Sequence, residues 1–221
     1  MIDLNKVCYA YDRQIALRYV DLHIEEGESV VLLGPNGCGK STLIRILNGI
    51  LFPSEGTYQY KGYEISEKSL KDTKFSKWFH QQIGYVFQNA DPQLFCSSVE
   101  EEIAFGPEQM GLSEEEVKRR TEDCMRLFGI EELRDRAPYH LSGGEKRKVS
   151  LACIISMNPE VLILDEPLAG LDEETQETLT LFLKKYNEAG KTLLIITHNR
   201  ELADTLGTRV LHMNKNHELS E

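Results

Sequence analysis

The stretch GPNGCGKST at residues 34–42 constrains the fold more than any other feature of this chain. It has the spacing G-x-x-x-x-G-K-[ST], in which glycines let backbone N–H groups turn inward around a phosphate. Such a loop belongs between a buried strand and a helix, because the strand fixes its position and the helix N-terminus favours an anion. Both flanks are present: SVVLLG at 29–34 is an apolar run ending in glycine, and KSTLIRILN at 40–48 reads as a helix. IGYVFQ at 83–88, VLILDE at 161–166 and TLLIITH at 192–198 read as further buried parallel strands. Strands alternating with helices predict an α/β core with a parallel sheet. Residues 2–24 read instead as short strands separated by the turn-like YDRQ.

Between Gln88 and Leu141 the character changes. SEEEVKRRTEDCMRLF at 113–128 opens with a capping box, Ser113 preceding Glu116, and carries Val117, Cys124, Met125 and Phe128 as one apolar stripe. Neighbouring stretches have helical tendency, with Pro107 and Pro138 expected to punctuate them. The expectation is a helical subdomain over approximately residues 89–140, inserted into one domain spanning 1–221.

The charge balance narrows the partners. A net charge of -11 argues against a general binder of nucleic acid or anionic membrane, which needs a basic face. No apolar run approaches the roughly 20 residues of a membrane-crossing helix. The opening MIDLNKVCYAYD has none of the regions of a signal peptide, so a cytoplasmic location is expected. Five scattered cysteines without a C-x-x-C pair suit a reducing compartment and neither a disulfide framework nor a zinc site. Cys38 stands apart because it lies within the phosphate loop. A helix start and Lys40 beside it favour a thiolate, and its alkylation is expected to block nucleotide binding.

The residue types in these motifs indicate chemistry. Lys40 is placed to reach the β- and γ-phosphates, and the Ser41 hydroxyl to take a place on Mg²⁺. Asp165 emerges at the C-terminal end of VLILDE, where α/β sheets put their ligands, and holds Mg²⁺ through water. Glu166 follows, positioned to accept a proton from, or to orient, an attacking water. Together these residues predict a nucleoside triphosphatase of no particular kind. A second Gly-rich cradle, LSGGEKRKVSLA at 141–152, then poses a question, since one phosphate loop already suffices.

That second cradle, placed shortly before VLILDE, resembles the signature motif of ATP-binding-cassette ATPases. Other pieces fall in that family's order. Gln88 resembles the glutamine loop, Ala169-Gly170-Leu171-Asp172 the aspartate loop, His198 the switch histidine and Tyr11 the aromatic that stacks on adenine. The resemblance covers nearly the whole chain. It implies a RecA-like core, an N-terminal antiparallel β part and an inserted helical subdomain, with ATP and Mg²⁺ as cofactors. It implies Glu166, His198 and Gln88 as catalytic, and Ser41, Gln88 and Asp165 around the metal. Nucleotide binding falls to Tyr11, Asn36, Gly37, Cys38, Gly39, Lys40, Ser41, Thr42, Ser142, Gly143, Gly144 and Asp172. In the family two cassettes pair head to tail, so the second cradle is expected to hold a partner's ATP, in a homodimer or a paralogous heterodimer. Glu145 departs from the commoner Gln and adds a negative charge near that cradle.

A narrower resemblance lies in FQNADPQLFCSSVEEEIAFGPEQMGLSEEEV at 87–117. Asn89, Asp91, Gln93, Phe95, Val99 and the run from Ala104 to Pro107 match the ATPase subunits of energy-coupling-factor importers for metals and vitamins. This implies an integral membrane partner, a peripheral place on the cytoplasmic membrane face and no nucleic-acid partner. Many of that class carry a further C-terminal region, and here only NKNHELSE follows TRVLHM, so pairing is expected to depend on ATP or on the membrane subunit. Another transporter class and a non-transport cassette such as an iron–sulfur assembly factor remain as alternatives. The interval from Lys40 to Leu141 is too short for the arms of DNA-repair cassettes, and translation-type cassettes usually come two to a chain.

Overall fold

The computed structural model describes residues 1–12, 14–87 and 93–220. Two sheets form its frame. The first is antiparallel, built from β1 (Ile2–Tyr11), β2 (Gln14–Ile24), β4 (Glu55–Tyr60) and β5 (Tyr63–Glu64) in the order β2-β1-β4-β5. The second contains β3 (Ser29–Leu33), β6 (Ile83–Val86), β7 (Val161–Asp165), β8 (Thr192–Ile196), β9 (Arg209–Met213) and β10 (Leu219–Ser220), in the order β10-β9-β3-β8-β7-β6. All its pairings are parallel except β10 against β9.

The buried-strand reading holds, and alternation explains why the runs are apolar throughout. Val30, Leu32, Val161, Ile163, Leu194 and Ile196 face one core cluster, shared with the antiparallel sheet and α1 (Lys40–Leu47). Val31, Leu162, Leu164, Leu193 and Ile195 face a second cluster on the other side. A strand covered on both faces favours apolar residues at every interior position, and the polar ones, Ser29, Asp165 and Thr192, stand at strand ends. The N-terminal strands depart from expectation in length: β1 has 10 residues and β2 has 11, paired from end to end. Bulges, with Lys6 and Tyr19 at positive φ, break their alternation and made them read as shorter pieces.

The helical region holds α3 (Val99–Gln109) and α4 (Glu114–Phe128), packed on each other and on α5 (Gly143–Ser156). Val117, Cys124, Met125 and Phe128 are buried as the stripe requires. Ser113 caps α4 by accepting from the Glu116 N–H at 3.3 Å. The Glu116 carboxylate turns to Arg119 and Arg120 instead of completing the box, and these hydrogen bonds lower its pKa to about 2. α2 (Thr73–Gln82), α6 (Glu173–Glu188) and α7 (Arg200–Leu206) flank the sheets.

Pro107 corrects the sequence reading: it lies inside α3 and does not end it. Proline has no N–H, so the carbonyl of Ile103, four residues earlier, loses its helical donor. The buried Ser156 hydroxyl at the end of α5 stands in that place, its one proton shared between the Ile103 oxygen at 3.0 Å and the Cys153 oxygen of its own helix at 2.9 Å. This bond fixes α3 against α5. Ser156→Ala is expected to cost about 1–2 kcal/mol, the price of an unsatisfied buried carbonyl. With Pro107→Ala, which restores an N–H, the same change should cost about 1 kcal/mol less. Urea unfolding of the four proteins measures the difference, and equal costs in both backgrounds would rule this bond out as the link.

Candidate nucleotide site

The C-terminal ends of β3, β7 and β8 converge on one pocket. It is lined by Tyr11, Gln14, Ile15, Ala16, Asn36, Gly37, Gly39, Lys40, Ser41, Thr42, Asp165, Glu166, Ala169, His198 and His217. Of the residues expected from sequence, Tyr11, Asn36, Gly37, Gly39, Lys40, Ser41, Thr42, Asp165, Glu166 and His198 thus come together. Gln88, Asn89 and Asp91 lie outside the described residues.

The phosphate loop is held by close packing. Gly39 has φ 113, and a Cβ there would stand 2.2 Å from the Ala16 carbonyl oxygen. A Cβ on Gly34 would stand 2.5 Å from the Met213 carbonyl oxygen. Glycine is therefore required at both positions by contact with neighbouring strands. The Lys40 ammonium donates to the carbonyl oxygens of Gly34 (2.6 Å) and Pro35 (3.0 Å), across the mouth of the loop. Cys38 departs from expectation. The residue is 2% exposed, belongs to the core beneath the loop and does not line the pocket, so alkylation requires the loop to open.

At the far end, Tyr11 is half-exposed, packed edge-on against Tyr9 with centroids 5.0 Å apart. Its hydroxyl accepts from Arg45 at 3.2 Å and Thr42 at 3.5 Å, which ties the ring to α1. Exposed Ile15 lines the same end.

The carboxylates are differently set. Asp165 is buried, and burial first, then the neighbouring Glu166 charge, raises its pKa above the usual aspartate value. Glu166 sits at φ 48, an uncommon conformation for a non-glycine. Its N–H donates to the Ile196 carbonyl at 2.8 Å, and Oε2 accepts from the Thr197 hydroxyl at 3.1 Å. Oε1 is buried without a hydrogen-bond partner, 3.8 Å from His198 Nε2. One carboxylate oxygen is thus oriented and the other left with acceptor capacity.

Sequence reasoning missed the group that sets this backbone. Arg147 belongs to the basic run of LSGGEKRK, yet its side chain is 4% exposed. It donates to the carbonyl oxygens of Phe87, Asp165 (3.0 Å) and Glu166 (2.9 Å). Burial lowers the guanidinium pKa, opposed by the Asp165, Tyr85 and Glu166 charges. Thr197 was missed too; its only signal was its place beside His198.

Ser142, Gly143, Gly144 and Asp172 do not line this pocket. Ser142 caps α5, its hydroxyl accepting from the Glu145 N–H at 3.4 Å while the Glu145 carboxylate accepts from the Ser142 N–H at 2.7 Å. These bonds to Ser142 lower the Glu145 pKa, so the charge that departs from the common Gln serves as the reciprocal half of a capping box. Asp172 caps α6 through the Thr175 N–H at 2.9 Å and pairs with Lys148 of α5 at 3.0 Å.

Removing Arg147 tests its hold on the site. Arg147→Met strands three carbonyls and leaves the adjoining carboxylates without their buried cation, and is expected to cost about 3 kcal/mol. Arg147→Lys keeps the charge but not the planar fork, with an expected cost of about 1–2 kcal/mol. Chemical denaturation reads both.

Residues 17–169 match the profile of the ABC transporter family. The nickel import ATP-binding protein LarO of Lactiplantibacillus plantarum is 43% identical, over 99% of this chain and 91% of that protein. The energy-coupling factor transporter ATP-binding protein EcfA of Methanothermobacter thermautotrophicus is 40% identical, over 100% of this chain and 70% of that protein. A solved dimer of the ATP-binding cassette MJ0796, in a post-hydrolysis state with ADP and Pi, superposes with a TM-score of 0.88 at 31% identity, covering 100% of this chain and 97% of that one. With a family profile over most of the chain and relatives of this closeness, the chain belongs to the ABC transporter family, as an ATP-hydrolysing cassette.

Proposed function

We propose that this cassette energises a membrane importer of the energy-coupling-factor type, whose cargo is a metal ion or a vitamin. The observation that carries the reading is the aromatic pair Phe95 and Phe105, with ring centroids 5.1 Å apart and edge-to-face, exposed on the helical region. Phe95 is 67% exposed, an apolar surface that needs a partner.

The class-matching residues around this pair have identifiable physical roles. Gln93 donates to the Ser150 carbonyl at 3.1 Å and accepts from its hydroxyl at 2.7 Å, fastening the segment after the glutamine loop to α5. Buried Glu102 accepts from the N–H groups of Phe95 (2.8 Å) and Cys96 (2.6 Å), which holds the Phe95 turn. Gly106 admits Met157, whose Cγ would stand 2.7 Å from a Cβ at that position. The names of LarO and EcfA, a nickel import protein and an energy-coupling factor protein, support the same class. No helix among the described residues is long and apolar enough to cross a membrane, so the proposed place at the cytoplasmic membrane face requires integral partner subunits.

In this reading Tyr11 and Ile15 receive the adenine, and the N–H groups of the phosphate loop and Lys40 receive the phosphates. Among the described residues no cluster of three or more His, Cys, Asp or Glu side chains is arranged to hold a metal. That fits Mg²⁺, which takes one or two protein oxygens and completes its shell with phosphate and water. Ser41 and Asp165 would hold it, with Gln88, and it would offset the charge developing on the phosphates. The unpartnered Glu166 oxygen accepts the proton of the attacking water, with Thr197 fixing the carboxylate and His198 beside it. A second cassette supplies Ser142, Gly143 and Gly144 to the γ-phosphate. Closure of the pair moves the Phe95–Phe105 surface and the membrane subunit docked there.

Two outcomes are expected. Phe95→Ser with Phe105→Ser should leave ATP hydrolysis by the free cassette within about two-fold, because both rings lie on the surface, yet abolish co-sedimentation with membranes from cells producing the whole operon. Unchanged co-sedimentation would exclude this docking surface. For the pairing, Lys40→Ala damages one cradle and Ser142→Arg the other. Mixed in a head-to-tail homodimer they leave one site intact, so ATP-dependent crosslinking between differently tagged mutants should exceed that of either alone. No excess would count against a homodimer, and a repeat with a paralogous subunit would test the heterodimer.

A further inference from the structure

The turn joining β9 to β10 lies against the phosphate loop. Asn214 builds it: its side-chain oxygen accepts from the N–H groups of Asn216 (2.8 Å) and Glu218 (3.2 Å), and its carbonyl accepts from the His217 N–H at 3.1 Å. The turn holds His217 at φ 65, a left-handed conformation that costs a non-glycine residue about 1 kcal/mol or more. Both ends of His217 are then fixed. Its carbonyl accepts from the Arg18 N–H of β2 at 2.9 Å, and its Nδ1 lies 3.0 Å from the Cys38 carbonyl oxygen of the phosphate loop. The half-buried imidazole lines the nucleotide pocket, its ring bonded to the phosphate loop and its backbone to β2, the strand that also brings Ile15 and Ala16 to the pocket.

This geometry decides the ring chemistry. A carbonyl oxygen only accepts, so Nδ1 carries the proton, and Nε2 of the neutral ring is an acceptor. Phosphate oxygens offer such an acceptor no proton, whereas the hydroxyls of a ribose do. The ribose is also the part of a nucleotide that joins its base to its phosphates, and His217 is bonded both to the phosphate loop and to the strand that carries Ile15. We propose that His217 recognises the ribose, its Nε2 accepting a hydrogen bond from a sugar hydroxyl, so that this cassette favours ribonucleotides over deoxy analogues. The inference rests on the pocket being the ATP site, and it deepens that reading by assigning the sugar.

The test uses His217→Gly, since glycine adopts φ 65 without strain and the backbone bonds of the turn remain. Calorimetric titrations compare ADP, 2′,3′-dideoxy-ADP and pyrophosphate, none of which the protein turns over. The unchanged protein should bind ADP more tightly than the dideoxy analogue. In His217→Gly, ADP should bind about five-fold more weakly, the effect of one hydrogen bond, with dideoxy-ADP and pyrophosphate unchanged. His217→Asn, whose residue type also tolerates the left-handed conformation, should show the same loss because its amide is too short to reach the sugar. An equal loss for all three ligands would overturn the proposal, showing that His217 only braces the phosphate loop. Equal affinities in the variant and the unchanged protein would overturn it as well. Failure of the unchanged protein to bind ADP would overturn the site assignment, a result distinct from either.

Discussion

The structure depends on how closely three pieces of backbone approach at the phosphate loop. At Gly39 a side chain would collide with the Ala16 carbonyl of the antiparallel sheet, and at Gly34 with the Met213 carbonyl at the end of β9. The loop is therefore clamped between the two sheets rather than suspended from β3 alone. Its shape is set before any ligand arrives, which is the condition for backbone N–H groups to act as a preorganised anion cradle. The same clamp explains why a turn far along the chain reaches the pocket. The Met213 backbone lies on the loop, and the residues that follow it turn back as the hairpin that bonds His217 to Cys38.

A second clamp acts across the site. Arg147 on α5 reaches carbonyls at Phe87, Asp165 and Glu166, so the residue that follows β6 and the two carboxylate-bearing residues at the end of β7 share one rigid donor. Burying a guanidinium is costly, and its bonds to three carbonyls beside two carboxylates offset that cost. Arg147 lies on the helix that Ser142 caps, so under the proposed pairing a displacement of that helix start would be carried to the backbone of Glu166. Gln93, bonded to Ser150 on that helix, extends the connection to the Phe95 turn.

Much of this was legible in the sequence because the chemistry demands particular residue types. The parallel strands were plain because burial on both faces favours apolar residues, and the phosphate loop because glycine is sterically required. Glu166 and Asp165 could be placed by their position at a strand end. What stayed hidden was long-range. Arg147 sits in a run of basic residues and differs from Lys146 and Lys148 only in being buried, which a local pattern does not encode. Pro107 looked like a helix end because its missing hydrogen bond is repaired from Ser156, 49 positions away along the chain by their numbers. His217 lay in a polar tail with no motif around it, and only the hairpin brings it to Cys38. Cys38 itself was misread because sequence places a residue in a loop without saying which way its side chain points.

The capping of α5 bears on how a second cassette could use this cradle. The Ser142 hydroxyl makes its cap bond at 3.4 Å, near the limit of a hydrogen bond, while Glu145 holds the Ser142 N–H at 2.7 Å. The strong half of the box thus fixes the turn, and the weak half leaves the hydroxyl close to available. In the cap bond Oγ accepts, so under the proposed pairing its O–H can donate to an incoming γ-phosphate without giving up the cap, a charge-assisted bond to which the first-turn N–H groups of Gly143 and Gly144 add. A Cβ on Gly144 would stand 3.3 Å from the Gly170 carbonyl oxygen, so the cradle is also packed against the aspartate loop of its own chain. Lys148 reinforces this contact through Asp172. A phosphate drawn to the cradle would then be sensed by the loop that begins at Glu166, which gives the two sites of a pair a physical route for acting together.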